Sequence, residues 1–312
     1  MRREGSPWHG LGVVMLKEMS DHFTSVRMRV LEWLVVLVAL AAVYAAIQQV
    51  RDVTAQDPFL FLRLFTTARE PMPSFVSFLG FLVPLMAIGL GFDAMNSEHN
   101  RRTLSRILSQ PIYRDALLFG KFIAALVTLS VSLIALWLLV IGLGLIMLGL
   151  PPGAEEMARA FLFLGVTIAY AGVWLALAML FSVIFRSAAT AALAALGFWL
   201  FITLVWPVLA PAIATAVVPD GDRATLVVTA QMLARLSPST LFAECVMAIL
   251  HPTTRTLGPV YLSQLQGAVM GSPLPFWTSV MVAWPQIVGL ISATILLFVG
   301  GYVAFQRQEV RA

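Results

Sequence analysis

The chain has 312 residues, 60% of them apolar and only 12% charged, with a mean hydropathy of +0.89, whereas soluble domains carry about 25% charge. That balance excludes intrinsic disorder and a collagen-like chain, and a single cysteine, Cys245, excludes a disulfide-stapled scaffold. A net charge of +4 suits a nucleic-acid binder or a membrane protein with basic cytoplasmic loops, and apolar runs too long for a globular core decide for the membrane.

Residues 1–10 read as a loose tail. Leu11, Met15, Met19, Phe23, Val26 and Val30 then recur at helical spacing, with Lys17, Glu18, Asp21 and Arg27 between them. This predicts an amphipathic helix in the cytoplasmic interface, either a plain juxtamembrane helix or an elbow resting on a partner. A helix needs about 20 apolar residues to cross roughly 30 Å of hydrocarbon. Six segments qualify: Val30–Gln48, Ser74–Gly91, Phe122–Leu150, Phe161–Phe185, Ala188–Ala210 and Val282–Phe305. The third is long enough to tilt or protrude. Pro84 in the second, and Pro207 and Pro211 near the end of the fifth, predict kinks. No barrel-like alternation occurs, so the fold expected is an all-α membrane bundle. The first apolar run starts late and is too long for a signal peptide, so it should stay in the membrane. The chain divides into a tail and elbow, 1–29, and a six-helix domain, 30–312. Glu32, at the start of the first span, is expected to snorkel to the interface.

Lys and Arg set the orientation. Thirteen lie on the side that holds the N-terminus, the loop after span two, Arg186, Arg307 and Arg311, and seven lie opposite. Both termini are therefore expected in the cytoplasm.

Between spans two and three, Phe92–Phe122 is too polar to span and too helical for a slack linker. Leu104, Ile107 and Leu108 form an apolar stripe, and Glu98, Arg101, Arg102 and Arg106 cover the rest. Pro111 interrupts the pattern, and Ile112–Lys121 restarts a helix into span three. The expected product is a short membrane-parallel helix that offers a surface to something in the cytoplasm. A solvated loop that helps set topology is the plainer reading. On the opposite side, Pro211–Met281 is too long for a simple connection. Arg223–Leu236 reads as a helix, and Ser237–Pro238 is a good helix start. Leu241, Phe242, Cys245, Val246, Ile249 and Leu250 follow on one stripe until His251–Pro252. A helical extracytoplasmic subdomain (211–281), or a re-entrant hairpin over the bundle mouth, is expected, with Phe242 and Val246 as lid candidates. The Pro and Gly in Thr254–Pro285 suggest an irregular return.

Several chemistries lack their residues. No GxxxxGK[ST] loop exists, because Gly120–Lys121 is followed by Phe122. His9, His22, His99 and His251 are scattered without metal-ligand spacing. The fourteen methionines lie mostly within apolar runs. Gly89–Leu90–Gly91–Phe92–Asp93 misses the GxGD signature of intramembrane aspartyl proteases by one residue, and no second carboxylate completes a dyad. Scarce mid-span charge also disfavours an ion-coupled carrier.

The order Asp93, Glu98, Thr103–Leu104, Leu108–Ser109, Pro111, Arg114 and Gly120–Lys121 resembles the type-2 ABC exporter permease family. So do the Lys17–Glu18 pair, the six spans and the large loop before span six. The branch associated with multi-copper enzyme maturation, which includes the NosY-type permeases, looks most similar. Arg102 stands where that pattern has glycine. The resemblance implies a non-enzymatic permease subunit in the cell (inner) membrane that pairs with itself and with two copies of a separate ABC ATPase. ATP and Mg would be bound by that ATPase, and no cofactor by this chain. The segment 93–121 would be the coupling helix, with Glu98, Arg101, Arg102, Thr103, Leu104, Arg106, Ile107, Leu108, Pro111 and Arg114 as coupling residues. Gly80, Pro84, Gly89, Gly197 and Pro207 are candidates for the dimer interface or pathway. An extracytoplasmic partner protein and membrane lipid are further expected partners, and nucleic acid is not. A membrane scaffold without a translocation pathway is the alternative.

Overall fold

The computed structural model describes residue 8 and residues 10–51, 59–70, 72–100, 114–149, 151–219, 221–257 and 273–307. Among these no strand forms. The helices are α1 (Leu11–Thr24), α2 (Val26–Arg51), α3 (Arg63–Thr66), α4 (Phe75–Gly91), α5 (Asn96–Asn100) and α6 (Arg114–Leu148). They continue as α7 (Ala154–Ile184), α8 (Ala188–Leu200), α9 (Trp206–Val217), α10 (Arg223–Ala234), α11 (Pro238–Leu250) and α12 (Phe276–Arg307).

Among the described residues, six spans are long and apolar enough to cross a membrane: α2, α4, α6, α7, the α8–α9 run and α12. The bent pair α10–α11, turning by 108°, would make a seventh if it counted as one span. The expected all-α membrane architecture therefore holds, but several boundaries move outward. The first span begins at Val26, the fourth at Ala154 and the sixth at Phe276. The expected irregular return before Pro285 is therefore helical from Phe276 onward. Pro285 sits inside α12, where only one backbone donor is lost and neighbouring helices can absorb the change.

The most enclosed helix is α7, with 72% of its most apolar stretch buried, against 11% for the α8–α9 run and for α12. Gly91 explains one of its tight contacts. A Cβ there would lie 2.8 Å from Ala178 Cβ and 3.2 Å from the Leu175 carbonyl oxygen, so only glycine lets α4 and α7 approach so closely. Pro84 is buried within a helix that continues through it to Gly91. In the fifth span, a π-helical turn at Phe201–Val205 joins α8 to α9, and Trp206 N–H reaches the Phe201 carbonyl five residues back. Pro207 cannot donate to the Thr203 carbonyl, and the wider turn accommodates that loss.

The amphipathic helix before span one forms, but with another face inward. The chain breaks at Ser25, and Phe23, Val26 and Val30 are exposed, while Val14 and Glu18 are buried. The hydrophobic pattern missed this because the buried face carries a carboxylate.

Candidate functional site

The most polar assembly lies where α1, α5 and the start of α6 meet. Its centre is Lys121, whose side chain is 4% exposed. Lys121 Nζ donates to Glu18 Oε1 of α1 at 2.8 Å and to Glu98 Oε1 of α5 at 3.3 Å. Lys17 closes the rim, 2.9 Å from Glu18 and 3.0 Å from Asp21. Burial opposes the charge on Lys17, but its hydrogen bonds to Glu18 and Asp21 outweigh this and raise its pKa. Two carboxylates thus face one enclosed lysine, the pairing and hydrogen bonding that a buried charged side chain needs.

Three elements are thereby tied, and the sequence supplies the means. At Gly120 a Cβ would come within 2.8 Å of Val14 Cγ1, so the glycine lets α1 lie against α6 and the next residue reaches Glu18. The neighbouring contacts extend the same frame. Arg27 clasps Asp93 with both amino groups, at 2.9 and 3.3 Å, and lies over the Phe92 ring. The Met95 and Asn96 N–H groups donate to Ser182 Oγ near the end of α7, at 3.0 and 3.3 Å. Tyr302 on α12 donates to Asp115 on α6 at 3.0 Å, and Gln306 donates to the same oxygen. Arg114 stands 6.0 Å from the Phe305 ring.

His22 lies beside this cluster. Burial lowers its pKa below 6.5, and the positive charges of Lys121 and Arg27 add to the effect, against Glu18 and Asp93. The unfolded chain therefore binds this proton more readily than the folded one. Stability from neutral His22 is complete above about pH 6.5 and is lost as pH falls toward the depressed folded value. Thermal unfolding at pH 7.5 and 5.5 should show the acid loss in the parent and a flatter slope in His22→Gln. Equal slopes would exclude His22 as the titrating group.

At the opposite end of the bundle a second polar centre was not expected from the sequence. Arg159 on α7 is fully buried. It donates to Glu155 at 2.8 and 3.0 Å, to the Ile249 carbonyl at 2.9 Å, to Ser279 Oγ at 3.0 Å and to the Leu274 carbonyl at 2.6 Å. It thus binds the end of α11 and the start of α12 to α7. Glu244 on α11 accepts from Arg235, Gln231 and Gln286 at 2.8–3.2 Å. Between these, Tyr170 donates to the Gly80 carbonyl at 3.0 Å and shares a hydrogen bond with Ser239, which also meets Thr203 of the π-helical turn.

The lid candidates Phe242 and Val246 are both buried, and Phe242 stacks on Tyr170 at 4.5 Å. So α11 packs on the bundle. Pro238 opens it, but the Ser237 hydroxyl caps nothing. Gly80 and Gly89 face this chain's own Phe242 and Leu31, whereas Gly197 has nothing within 4 Å and Pro207 is exposed. Glu32, near the start of α2, accepts from Ser132 of α6 at 2.9 Å. Of the residues expected to couple, Glu98 joins the buried cluster and Arg114 adjoins it. Arg101, Arg102, Thr103, Leu104, Arg106, Ile107, Leu108 and Pro111 lie outside the described residues.

Six apolar spans, a short helix packed on the third of them and a charged frame at one end define a multi-pass helical membrane protein. Residues 13–310 match the family described as ABC-2 family transporter protein, and the chain belongs to it. It is also 32% identical over 148 residues to the probable ABC transporter permease protein NosY of Pseudomonas aeruginosa, across 46% of this chain and 52% of that one. The chain thus spans about half the length of this curated relative.

Proposed function

We propose that this chain is the permease subunit of an ATP-driven exporter in the inner membrane, with both termini cytoplasmic. It works as a homodimer with two copies of a separate ATPase, which binds ATP and Mg. One observation carries the reading: the segment between spans two and three starts from a buried ion cluster shared by α1, α5 and α6. A push on that segment by a closing ATPase dimer would move the elbow and span three with it, as a rigid body. The name of the Pseudomonas relative supports a permease role. Gly197 and Pro207, exposed on one of the two least enclosed spans, offer a face to the second copy, and two-fold pairing is the commonest closure. At the other end, α11 acts as a lid, held by Arg159 and by the Phe242–Tyr170 stack, where an extracytoplasmic partner could act.

In the coupling segment Leu104, Ile107 and Leu108 seat in a groove of the ATPase, with Arg101, Arg102 and Arg106 at its rim. Leu108→Asp would bury an unpaired charge there, at several kcal/mol. The expected result is a protein that still inserts in the membrane but no longer co-purifies with a co-expressed partner ABC ATPase. A fully active complex carrying Leu108→Asp would overturn the coupling assignment.

A further inference from the structure

Glu32, a carboxylate inside the first span, meets no basic side chain among the described residues. Glu32 is half-buried on α2 and accepts only from the Ser132 hydroxyl, at 2.9 Å. The nearest basic residue in sequence, Arg29, donates instead to the Thr24 carbonyl. Glu32 and Ser132 line a cavity of about 340 Å³ between α2, α4 and α6, with Phe23 of α1 at its edge and otherwise apolar walls. A second cavity of about 360 Å³, lined by Tyr44, Ile47, Leu143 and Met147 among others, lies further along the same two helices. Both helices are largely unenclosed, with 33% and 28% of their apolar stretches buried, so the seam is open on the outside of the bundle.

From Glu32 to Ile47 is fifteen residues, roughly 22 Å at 1.5 Å per residue. The two cavities thus lie along one seam whose length suits an extended acyl chain, with Glu32 lining the first and no charged residue lining the second. Glu32 stands six residues into α2, about 9 Å along the axis, a depth that a headgroup amine can reach. A carboxylate in an apolar wall is costly unless a cation meets it. A neutral lipid tail would leave that charge unanswered, and an anionic headgroup would worsen it.

We propose that the α2–α6 seam binds a phospholipid with a primary-amine headgroup, whose ammonium donates to Glu32 and whose acyl chain lies along the seam toward Met147. Ser132 holds the carboxylate toward the cleft. The site requires only the membrane-spanning fold and is independent of any ATPase.

The test uses the full-length protein reconstituted with phosphatidylethanolamine or phosphatidylcholine carrying a photoreactive group in the acyl chain. The choline ammonium has no N–H to donate. The ethanolamine analogue should label peptides of α2 and α6, and Glu32→Gln should lower that labelling about tenfold, the loss of one charge-assisted hydrogen bond. Ala135→Trp, which fills the cleft without altering charge, should abolish labelling there by either lipid. Equal labelling by the two lipids, or unchanged labelling in Glu32→Gln, would overturn the proposal. So would a disulfide between two copies carrying Ala135→Cys, because a second protein chain would then occupy the seam.

Discussion

Lys121→Met should destabilise the protein by about 3 kcal/mol, the lower range for breaking a buried ion pair. The substitution leaves Glu18 and Glu98 enclosed together without the cation they share, and the half-exposed Lys17 stays 2.9 and 3.9 Å from them. Because the loss is a charge imbalance rather than a cavity, removing one carboxylate should relieve it. Lys121→Met with Glu18→Gln should recover about 1–2 kcal/mol, the coupling expected between contacting groups. Unfolding titrations in mixed micelles measure both effects, and limited proteolysis reports whether α1 detaches. A Lys121→Met protein as stable as its parent would mean that the cluster does not hold the elbow.

The second large effect is expected at the other end. Arg159→Met leaves the Ile249 and Leu274 carbonyls and the Ser279 hydroxyl without their donor, at about 1–3 kcal/mol for each buried group left unpaired. Glu155, 43% exposed, turns to water at little cost. Hydrogen exchange should rise in α11 and the first turns of α12 while α4 and α6 stay protected. Arg159→Lys should recover only part, because a single ammonium cannot reach acceptors arranged around a planar fork. Unchanged exchange in α11 would show that apolar packing alone holds it.

The spans were legible because crossing the membrane imposes a length and a composition on any helix that does it. Their ends were less so. Ala154–Ala160 contains Glu155, Glu156 and Arg159, a charge density that reads as loop. It is helix because Glu156 accepts from the Gly153 and Phe61 N–H groups and Arg159 turns inward. In the candidate site, Lys17–Glu18, Asp93, Glu98 and Gly120–Lys121 stood out by their order, but order alone does not say which charges meet. Glu18 read as part of a solvated face, and only the cation on α6, far away in sequence, explains its burial. Glu244 carried an overlooked signal, a carboxylate within the apolar run Leu241–Val246. Gln286, a buried amide inside a span, carried a related one.

The docking of α1 on α6 also imposes an order on biosynthesis. Glu18 and Lys121 are 103 residues apart, so the ribosome emits the carboxylate long before its cation. At synthesis rates of about 5–20 residues per second the delay is roughly 5–20 s. Throughout that interval the helix carrying Glu18 stays charged and unseated. Spans one and two therefore insert before the helix preceding them has anywhere to dock. Arrival of the third span is the event that completes the charged end of the fold, and a chain stalled before residue 121 leaves it open.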